Sequence, residues 1–372
     1  MLSELDLRLL HLIEMDPTIS IRELSTRAST SWITANRHLQ MLRESGILSH
    51  PTAVFNPSAI GLERYVVLAH ATDIAGLELL ERACDAHPYT HYRSRIYGPY
   101  PGLFAQFDIP PEGSRLLRRY FEILQREQAC VGMALLRSEG FRESTRTNQE
   151  LFDPHTLSWN YDWAHWDEDI DSASDVLPQP ATRRSLSELR LTRVDLEILA
   201  ALTANADISQ EELMNRFGLS QSTVSRRLIF LRENVIESVR AQIDRARFDI
   251  ISTKLFYAQR CSEAARAKVF NAIKAPSAPP FPLSVDLLDG GGLVLWGRMS
   301  PRHEHSLFYV LWRRFPEMQV FTMDTIRDHS RMYWFYPDNV DPETNSWKTD
   351  EDWMLNQPLS ALEPAHHSSE RR

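Results

Sequence analysis

The sequence predicts an α+β protein built from two tandem copies of a winged helix-turn-helix followed by a ferredoxin-like βαββαβ sandwich. The first observation behind this is an internal repeat. Residues 6–47 and 195–236 align without a gap at an offset of 189 residues, and 16 of the 42 positions are identical. Unrelated windows would match at roughly two or three positions by composition alone. The second observation is the order of strand-like and helix-like periodicities after each repeat, which is typical of a split βαβ sandwich.

The same patterns divide the chain into five segments and a tail. The linker is acidic and then bears Pro and Ser, and the tail carries paired histidines and arginines, which are typical of segments outside a core. The predicted segments are a winged helix-turn-helix at 1–60, a ferredoxin-like ligand or oligomerisation domain at 61–165, a linker at 166–188, a second winged helix-turn-helix at 189–248, a second ferredoxin-like domain at 249–356, and a disordered tail at 357–372.

The second copy has the better-formed helix-turn-helix, between Ser209 and Glu233. Ser209 and Glu212 form a capping-box pattern, and Gly218 suits the left-handed conformation that ends a helix. Apolar residues at helical spacing predict the buried face of the next helix, namely Val224, Leu228 and Leu231. The polar residues at its N-terminal end suit base edges and phosphates. The predicted DNA-binding residues here are Ser220, Gln221, Ser222, Thr223, Ser225, Arg226 and Arg227.

The first copy differs from the second in its turn and in its second helix. Ser29 stands where the second copy has Gly218, and His38 stands where it has Arg227. We therefore expect the first copy to be a weaker or differently specific reader of DNA. Its predicted DNA-binding residues are Ser31, Trp32, Thr34, Asn36 and Arg37. Two short strands of a wing are predicted after it, at Ile47–Pro51 and Val54–Phe55.

Charge and composition narrow the classes of function. The net charge of −9 and the pI near 5.8 count against indiscriminate coating of nucleic acid, so binding would need a local positive face. No apolar run approaches the length of a membrane span, and we expect a cytoplasmic protein. The cysteines form no CxxC pair, which predicts neither a zinc site nor a disulfide framework. We expect no cofactor, no metal and no membrane partner.

Two features of the predicted sandwiches are candidate ligand or contact sites. A glycine-bearing turn joins the second and third strands of each sandwich, where backbone amides could approach a carboxylate closely. The predicted effector-binding residues are Gly98, Tyr100, Gly290, Gly291 and Gly292. After each sandwich, Asp153–Trp159 is matched by Asp341–Trp347. We expect an Asp-Pro turn whose Trp packs on its own sandwich; the alternative is a dimer contact or a ligand lid.

The arrangement resembles the Lrp/AsnC (feast/famine) family of transcription regulators. The residues that carry the resemblance are the first-helix segment Val194–Leu199, the pattern of Leu219-Ser220, Val224, Arg227 and Leu231, the link Phe55–Gly61, and the two glycine turns. The resemblance implies a sequence-specific regulator that binds double-stranded DNA and responds to an amino acid or other small-molecule effector. It also implies assembly, and we expect a homodimer. Whether the two copies pair within one chain or between chains stays open.

An enzyme on an Lrp-like fold, such as a sirohaem decarboxylase, is the main alternative. A polar cluster near one sandwich edge could hold a carboxylate-bearing ligand; it comprises His87, His91, Tyr92, Arg93, Arg95 and Tyr97. The sequence offers no Ser/His/Asp order, phosphate-cradling loop or Cys/His cluster. We therefore predict no catalytic residues and a protein that is not an enzyme. A helix-turn-helix protein that binds only other proteins is a third reading.

Overall fold

The computed structural model describes residues 2–180, 183–333 and 337–362. The helices of the first half are α1 (Glu4–Met15), α2 (Ile21–Arg27), α3 (Trp32–Glu44), α4 (Ile74–Ala86), α5 (Ser114–Arg126) and α6 (Trp163–Ser172). Its strands are β1 (Leu48–Phe55), β2 (Glu63–Ala71), β3 (Thr90–Tyr97), β4 (Gly102–Ile109), β5 (Cys130–Ser144), β6 (Phe152–Asp153) and β7 (Ser158–Trp159).

The second half follows the same order. Its helices are α7 (Leu186–Leu189), α8 (Arg193–Ala204), α9 (Gln210–Phe217), α10 (Gln221–Asn234), α11 (Glu263–Ala272), α12 (Glu304–Trp312) and α13 (Gln357–Ser360). Its strands are β8 (Ile236–Ile243), β9 (Ser252–Ala258), β10 (Leu283–Leu288), β11 (Gly292–Met299), β12 (Gln319–Met323), β13 (Ser330–Met332), β14 (Val340–Asp341) and β15 (Ser346–Trp347). Among the described residues, no helix is both long and apolar enough to cross a bilayer.

Parts of the predicted linker and tail are folded. Trp166 and Ile170, in the predicted linker, lie on α6 and are fully buried. Residues 357–360 of the predicted tail form α13, next to buried Met354 and Leu355. Residues 363–372 of that tail lie outside the described residues.

The ferredoxin-like prediction is corrected by the way in which the two sheets meet. The strand order is β12-β9-β11-β10-β5-β2-β4-β3-β13, and β12 also pairs with β3. Two separate four-stranded sandwich sheets would each expose edge strands; here the edges pair and close one barrel. One seam joins β5 to β10, with Arg142 opposite Asp286, and the other joins β3 to β12, with Tyr97 opposite Thr322. The barrel is therefore a shared product of both halves.

The prediction of two separate short strands after the first helix-turn-helix is wrong. One continuous strand, β1, replaces them, and β1 pairs antiparallel with β8 of the other half, from Leu48 opposite Ile243 to Phe55 opposite Ile236. The ladder shifts register between Ser49 and Thr52, next to Pro51, which has no N–H to donate. This two-stranded ribbon connects the two helix-turn-helix units directly.

Each helix-turn-helix unit packs against the sandwich of the opposite half. The core residues of α1–α3 join the cluster of the second half's sandwich, and those of α8–α10 join the cluster of the first half's sandwich. The Trp159 indole N–H donates to the carbonyl oxygen of Phe248 (2.8 Å), and the Trp347 indole N–H donates to that of Ile60 (2.8 Å). The expectation that each Trp packs on its own sandwich is therefore wrong, because each reaches across to the opposite half.

Candidate nucleic-acid interface

The two candidate reading helices are α3 and α10, and both begin at a serine cap. The Ser31 hydroxyl accepts a hydrogen bond from the Thr34 N–H (3.1 Å), and the Ser220 hydroxyl accepts one from the Thr223 N–H (3.3 Å). Such caps satisfy backbone donors that the first turn leaves unpaired. The predicted buried face of α10 is confirmed, since Val224, Leu228 and Leu231 are buried. The apolar face of α10 thus fixes which side chains reach solvent.

The N-terminal ends of these helices present polar and aromatic groups to solvent. On α10, Gln221, Ser222 and Arg226 are exposed, and Thr223 and Ser225 are partly exposed. On α3, Asn36 and Arg37 are exposed, Thr34 is partly exposed, and Trp32 is 60% exposed. Trp32 therefore extends away from the turn and does not pack beside it. The structure places the predicted residues of each half at one end of one helix.

Arg227 is placed differently from its neighbour Arg226. Its guanidinium forms an ion pair with Asp195, which is 2% exposed, and donates to the Thr192 hydroxyl (3.2 Å). Asp195 also accepts from the Thr192 N–H in the capping box of α8. Arg227 therefore ties the reading helix to the first helix of its unit, and little of it is available to DNA.

His38 makes the equivalent connection in the first half. Its Nδ1 lies 2.7 Å from an Asp6 carboxylate oxygen, and Asp6 is part of the capping box of α1. Burial raises the pKa of Asp6, but hydrogen bonds from His38 and Ser3 outweigh this and leave the pKa below its usual value. The sequence difference between His38 and Arg227 is thus a difference between two internal braces.

Both helix-turn-helix units carry exposed arginines, although the chain as a whole has a net negative charge. Arg37 and Arg43 on α3, and Arg226 and Arg232 on α10, are exposed and form no ion pair with any described residue. Unpaired guanidinium groups at a helix surface are suited to phosphate oxygens and to guanine edges. These four arginines are exposed cationic groups on α3 and α10, and their contact with DNA stays a prediction.

The two glycine turns predicted to bind an effector have different surroundings. A Cβ on Gly98 would lie 2.5 Å from the carbonyl oxygen of Val320, because this turn packs against β12. Tyr100 stacks on His70 at 4.6 Å. In the other turn, Gly290 and Gly291 have φ of 78° and 82°, and Gly292 begins β11. Ligand binding at these turns stays a prediction.

The six polar residues considered as a possible enzyme site make separate contacts within the protein. Arg93 donates to Asp85 (2.6 Å) and Glu81 (3.1 Å), and Arg95 donates to Glu81 (2.7 Å). His87 is buried, and burial lowers its pKa to about 3. The remaining members also have separate surroundings: Tyr92 bonds to Ser330, Tyr97 is exposed, and His91 lies 3.4 Å from Asp108. The structure does not gather these six residues into one site.

Comparisons with known proteins agree with the helix-turn-helix geometry. A family model described as winged helix-turn-helix DNA-binding matches residues 2–49 and 191–234. An uncharacterized HTH-type transcriptional regulator of Haemophilus influenzae is 37% identical over 60 residues, which is 16% of this chain and 36% of that protein. The HTH-type transcriptional regulator FL11 of Pyrococcus furiosus is 32% identical over 68 residues, 18% of this chain and 43% of that protein. The chain thus matches less than half the length of either relative.

Solved structures show a likeness over the whole chain as well. The siroheme decarboxylase NirDL has a TM-score of 0.54 at 15% identity, covering 97% of this chain and all of that one. An AsnC family transcriptional regulator from Agrobacterium tumefaciens has a TM-score of 0.31 at 16% identity, covering 37% of this chain and 90% of that one. At this identity the likeness to NirDL shows a shared fold and nothing about function. The chain therefore carries two segments that match a winged helix-turn-helix DNA-binding model, on a mixed α/β fold.

Proposed function

We propose that the chain is a cytoplasmic, sequence-specific transcription regulator of the Lrp/AsnC type that arose by tandem duplication and responds to a small-molecule effector such as an amino acid. The observation that carries the proposal is the pair of serine-capped helices with exposed, unpaired arginines along them. Support comes from the two curated relatives. Both are named HTH-type transcriptional regulators, and each is similar to this chain over 60 to 68 residues. The proposed DNA contacts are those named in the two reading helices, with Arg227 acting mainly as a brace.

The ribbon suggests how two reading helices are offered to DNA. Because β1 and β8 run antiparallel, the two units are related by an approximate twofold axis within one chain. A twofold protein reads two inverted half-sites. The helices differ at Trp32 and Gln221, so the proposed operator has two unlike half-sites, separated by about 10–10.5 base pairs or a multiple. The expected homodimer rested on sandwich sheets that need a partner, and the other half already provides one.

The first test is a comparison of two arginines at equivalent positions. We expect Arg226→Ala to weaken specific binding by about 1–3 kcal/mol if its guanidinium reads a base. Arg37→Ala should cost less, because the second unit has the better-formed turn. Fluorescence anisotropy on fragments selected from genomic DNA measures both. Arg119→Ala is the control: it removes one exposed arginine on α5, which is paired with Glu351 and belongs to neither reading helix. Equal losses for all three variants would contradict the proposal.

The enzyme alternative is favoured by one observation, the likeness to NirDL over 97% of the chain. NirDL has also been solved with an iron-uroporphyrin III analogue, so the same compound can be used as a probe here. Absorbance titration of the full chain with this analogue, beside the DNA measurement, separates the two functions. If the protein binds the tetrapyrrole saturably and prefers no DNA sequence, the regulator proposal is refuted and the enzyme alternative is supported.

A further inference from the structure

A cavity of about 500 Å³ lies at the seam where β5 meets β10, and it is lined by both halves. This volume suits a small organic ligand. Arg64 and Arg142 come from the first half, and Asp286 and Glu237 come from the second. Residues 178–180 of the connecting segment also line the cavity. We call it the seam cavity.

Three groups in the seam cavity have unmet bonding capacity. Arg64, whose side chain is 6% exposed, donates through Nε and Nη2 to Asp108 at 2.7 Å each, while its buried Nη1 finds no acceptor among the described residues. Fully buried Asp286 accepts from the Ser138 hydroxyl through Oδ1, and its Oδ2 finds no donor there. Arg142, directly opposite Asp286 in the ladder, forms no ion pair with a described residue.

Apart from exposed Glu237, the other charges around the cavity are paired. Cations at or near its rim pair with carboxylates, namely Arg137 with Asp289, Arg183 with Glu63, Lys274 with Glu143, and Arg266 with Glu139. At the opposite seam, the guanidinium groups of Arg93, Arg95 and Arg331 all pair with Asp85 or Glu81. A buried charged group with unmet bonding capacity is costly, and Arg64 Nη1 and Asp286 Oδ2 have no hydrogen-bond partner among the described residues.

We infer that the seam cavity binds a small organic carboxylate that also carries an ammonium group, the carboxylate between Arg142 and the free Nη1 of Arg64, and the ammonium facing Oδ2 of Asp286. Arginine matches a carboxylate with directed donors. Burial lowers the pKa of Arg142 to about 10, and an anion beside it would relieve that cost. Burial raises the pKa of Asp286 to about 6, so near pH 7.5 it is mostly ionised and can accept from an ammonium.

The cavity also has a physical connection to the reading helices. Asn56, Pro57 and Ser58, which join β1 to β2, line it, as does Glu237 on β8. Both strands of the ribbon therefore start or end at the cavity wall, and a ligand there would bias how the ribbon sits on the barrel. This regulatory step rests on the proposed function; the binding step does not.

The test uses the full chain and a panel of proteinogenic L-amino acids with their matching 2-oxo acids, by thermal shift and then calorimetry. We expect at least one amino acid to bind, at least tenfold more weakly to Arg142→Gln and Asp286→Asn, with its 2-oxo acid at least tenfold weaker on the native chain. Arg331→Gln is the matched control at the opposite seam and Gly291→Val the control for the glycine turns; both should bind normally. Circular dichroism confirms that each variant is folded.

The possible outcomes separate cleanly. No binder in the panel, equal binding of the 2-oxo acids, or binding that survives Arg142→Gln and is lost in Gly291→Val would overturn the inference. Anisotropy without ligand tests the regulator separately. Specific DNA binding without amino-acid binding would refute only the proposed ligand site in the seam cavity. Amino-acid binding without specific DNA binding would support that ligand site and refute the proposed regulator function.

Discussion

Ser29 and Gly218 occupy the same position in the two helix-turn-helix turns, and both take a left-handed backbone conformation, with φ of 54° and 64°. A residue with a Cβ is strained there by about 1–2 kcal/mol, which Gly avoids, although Gly forfeits part of the benefit through its freer unfolded chain. We therefore predict that Ser29→Gly raises the free energy of unfolding by roughly 0.5–1 kcal/mol.

The matched change is Gly218→Ser, which should lower the free energy of unfolding by a similar amount. No described atom lies within 4 Å of a Cβ at Gly218, so only backbone strain separates the two residues. Urea denaturation followed by circular dichroism measures both variants. A destabilised Ser29→Gly variant would contradict the strain argument.

Asp286 gives a pH-dependent prediction. Because burial raises its pKa from 3.8 to about 6 in the folded chain, the folded state holds the proton more tightly than the unfolded state. The stability that follows is complete below pH 3.8 and is lost as the pH rises through 6. Asp286→Asn should therefore be more stable than the native chain at pH 8, by at most about 3 kcal/mol, with the difference shrinking towards pH 4.

The control for this prediction is Asp289→Asn, which removes a carboxylate that is 43% exposed and paired with Arg137. A surface pair of this kind contributes about 0–1 kcal/mol. Thermal melts from pH 4 to 8 measure both variants. If Asp286→Asn is no more stable than the native chain at pH 8, a destabilising burial of the Asp286 carboxylate is refuted.

At the scale of elements, the crossed tryptophans test how the halves hold each other. Trp159 is 6% exposed and contacts Phe152 and Phe281 at ring distances of 5.2 and 5.1 Å. Trp159→Ala should lower the free energy of unfolding by about 3–5 kcal/mol. Trp347→Ala removes the counterpart, which is only partly buried, and should cost less. Denaturant titration gives the comparison; equal small losses would mean that the crossed contacts do not stabilise the chain.

The sequence predicts the features that depend on neighbouring residues, but not the contacts between distant elements. Ser220, Gly218 and the apolar stripe of α10 act within a few residues of one another, so their pattern specifies caps, turn and buried face. The partner of β1 is β8, nearly two hundred residues away, and no local periodicity encodes that pairing. The same holds for Arg227: its type suits DNA, but only the folded chain brings it to Asp195. The seam cavity was missed because Arg142 and Asp286 meet only when the two sheets join.

At the scale of the whole molecule, a closed barrel and one ribbon give a single chain the approximate twofold symmetry that regulators usually obtain by dimerisation. Such internal symmetry is imperfect, since Trp32 of the first repeat corresponds to Gln221 of the second. Under the proposed function, one polypeptide would read two different half-sites. It would also hold a ligand at one seam, while ion pairs occupy the other seam.

The measurement that most directly tests this account is selection of bound genomic sequences, followed by footprinting and light scattering on the complex. The account predicts that one chain protects a site with two unlike, inverted half-sites, their centres about 10–10.5 base pairs apart or a multiple of that spacing. A protein that selects no sequence at physiological salt, or one that binds a strict palindrome only as two chains, would contradict it.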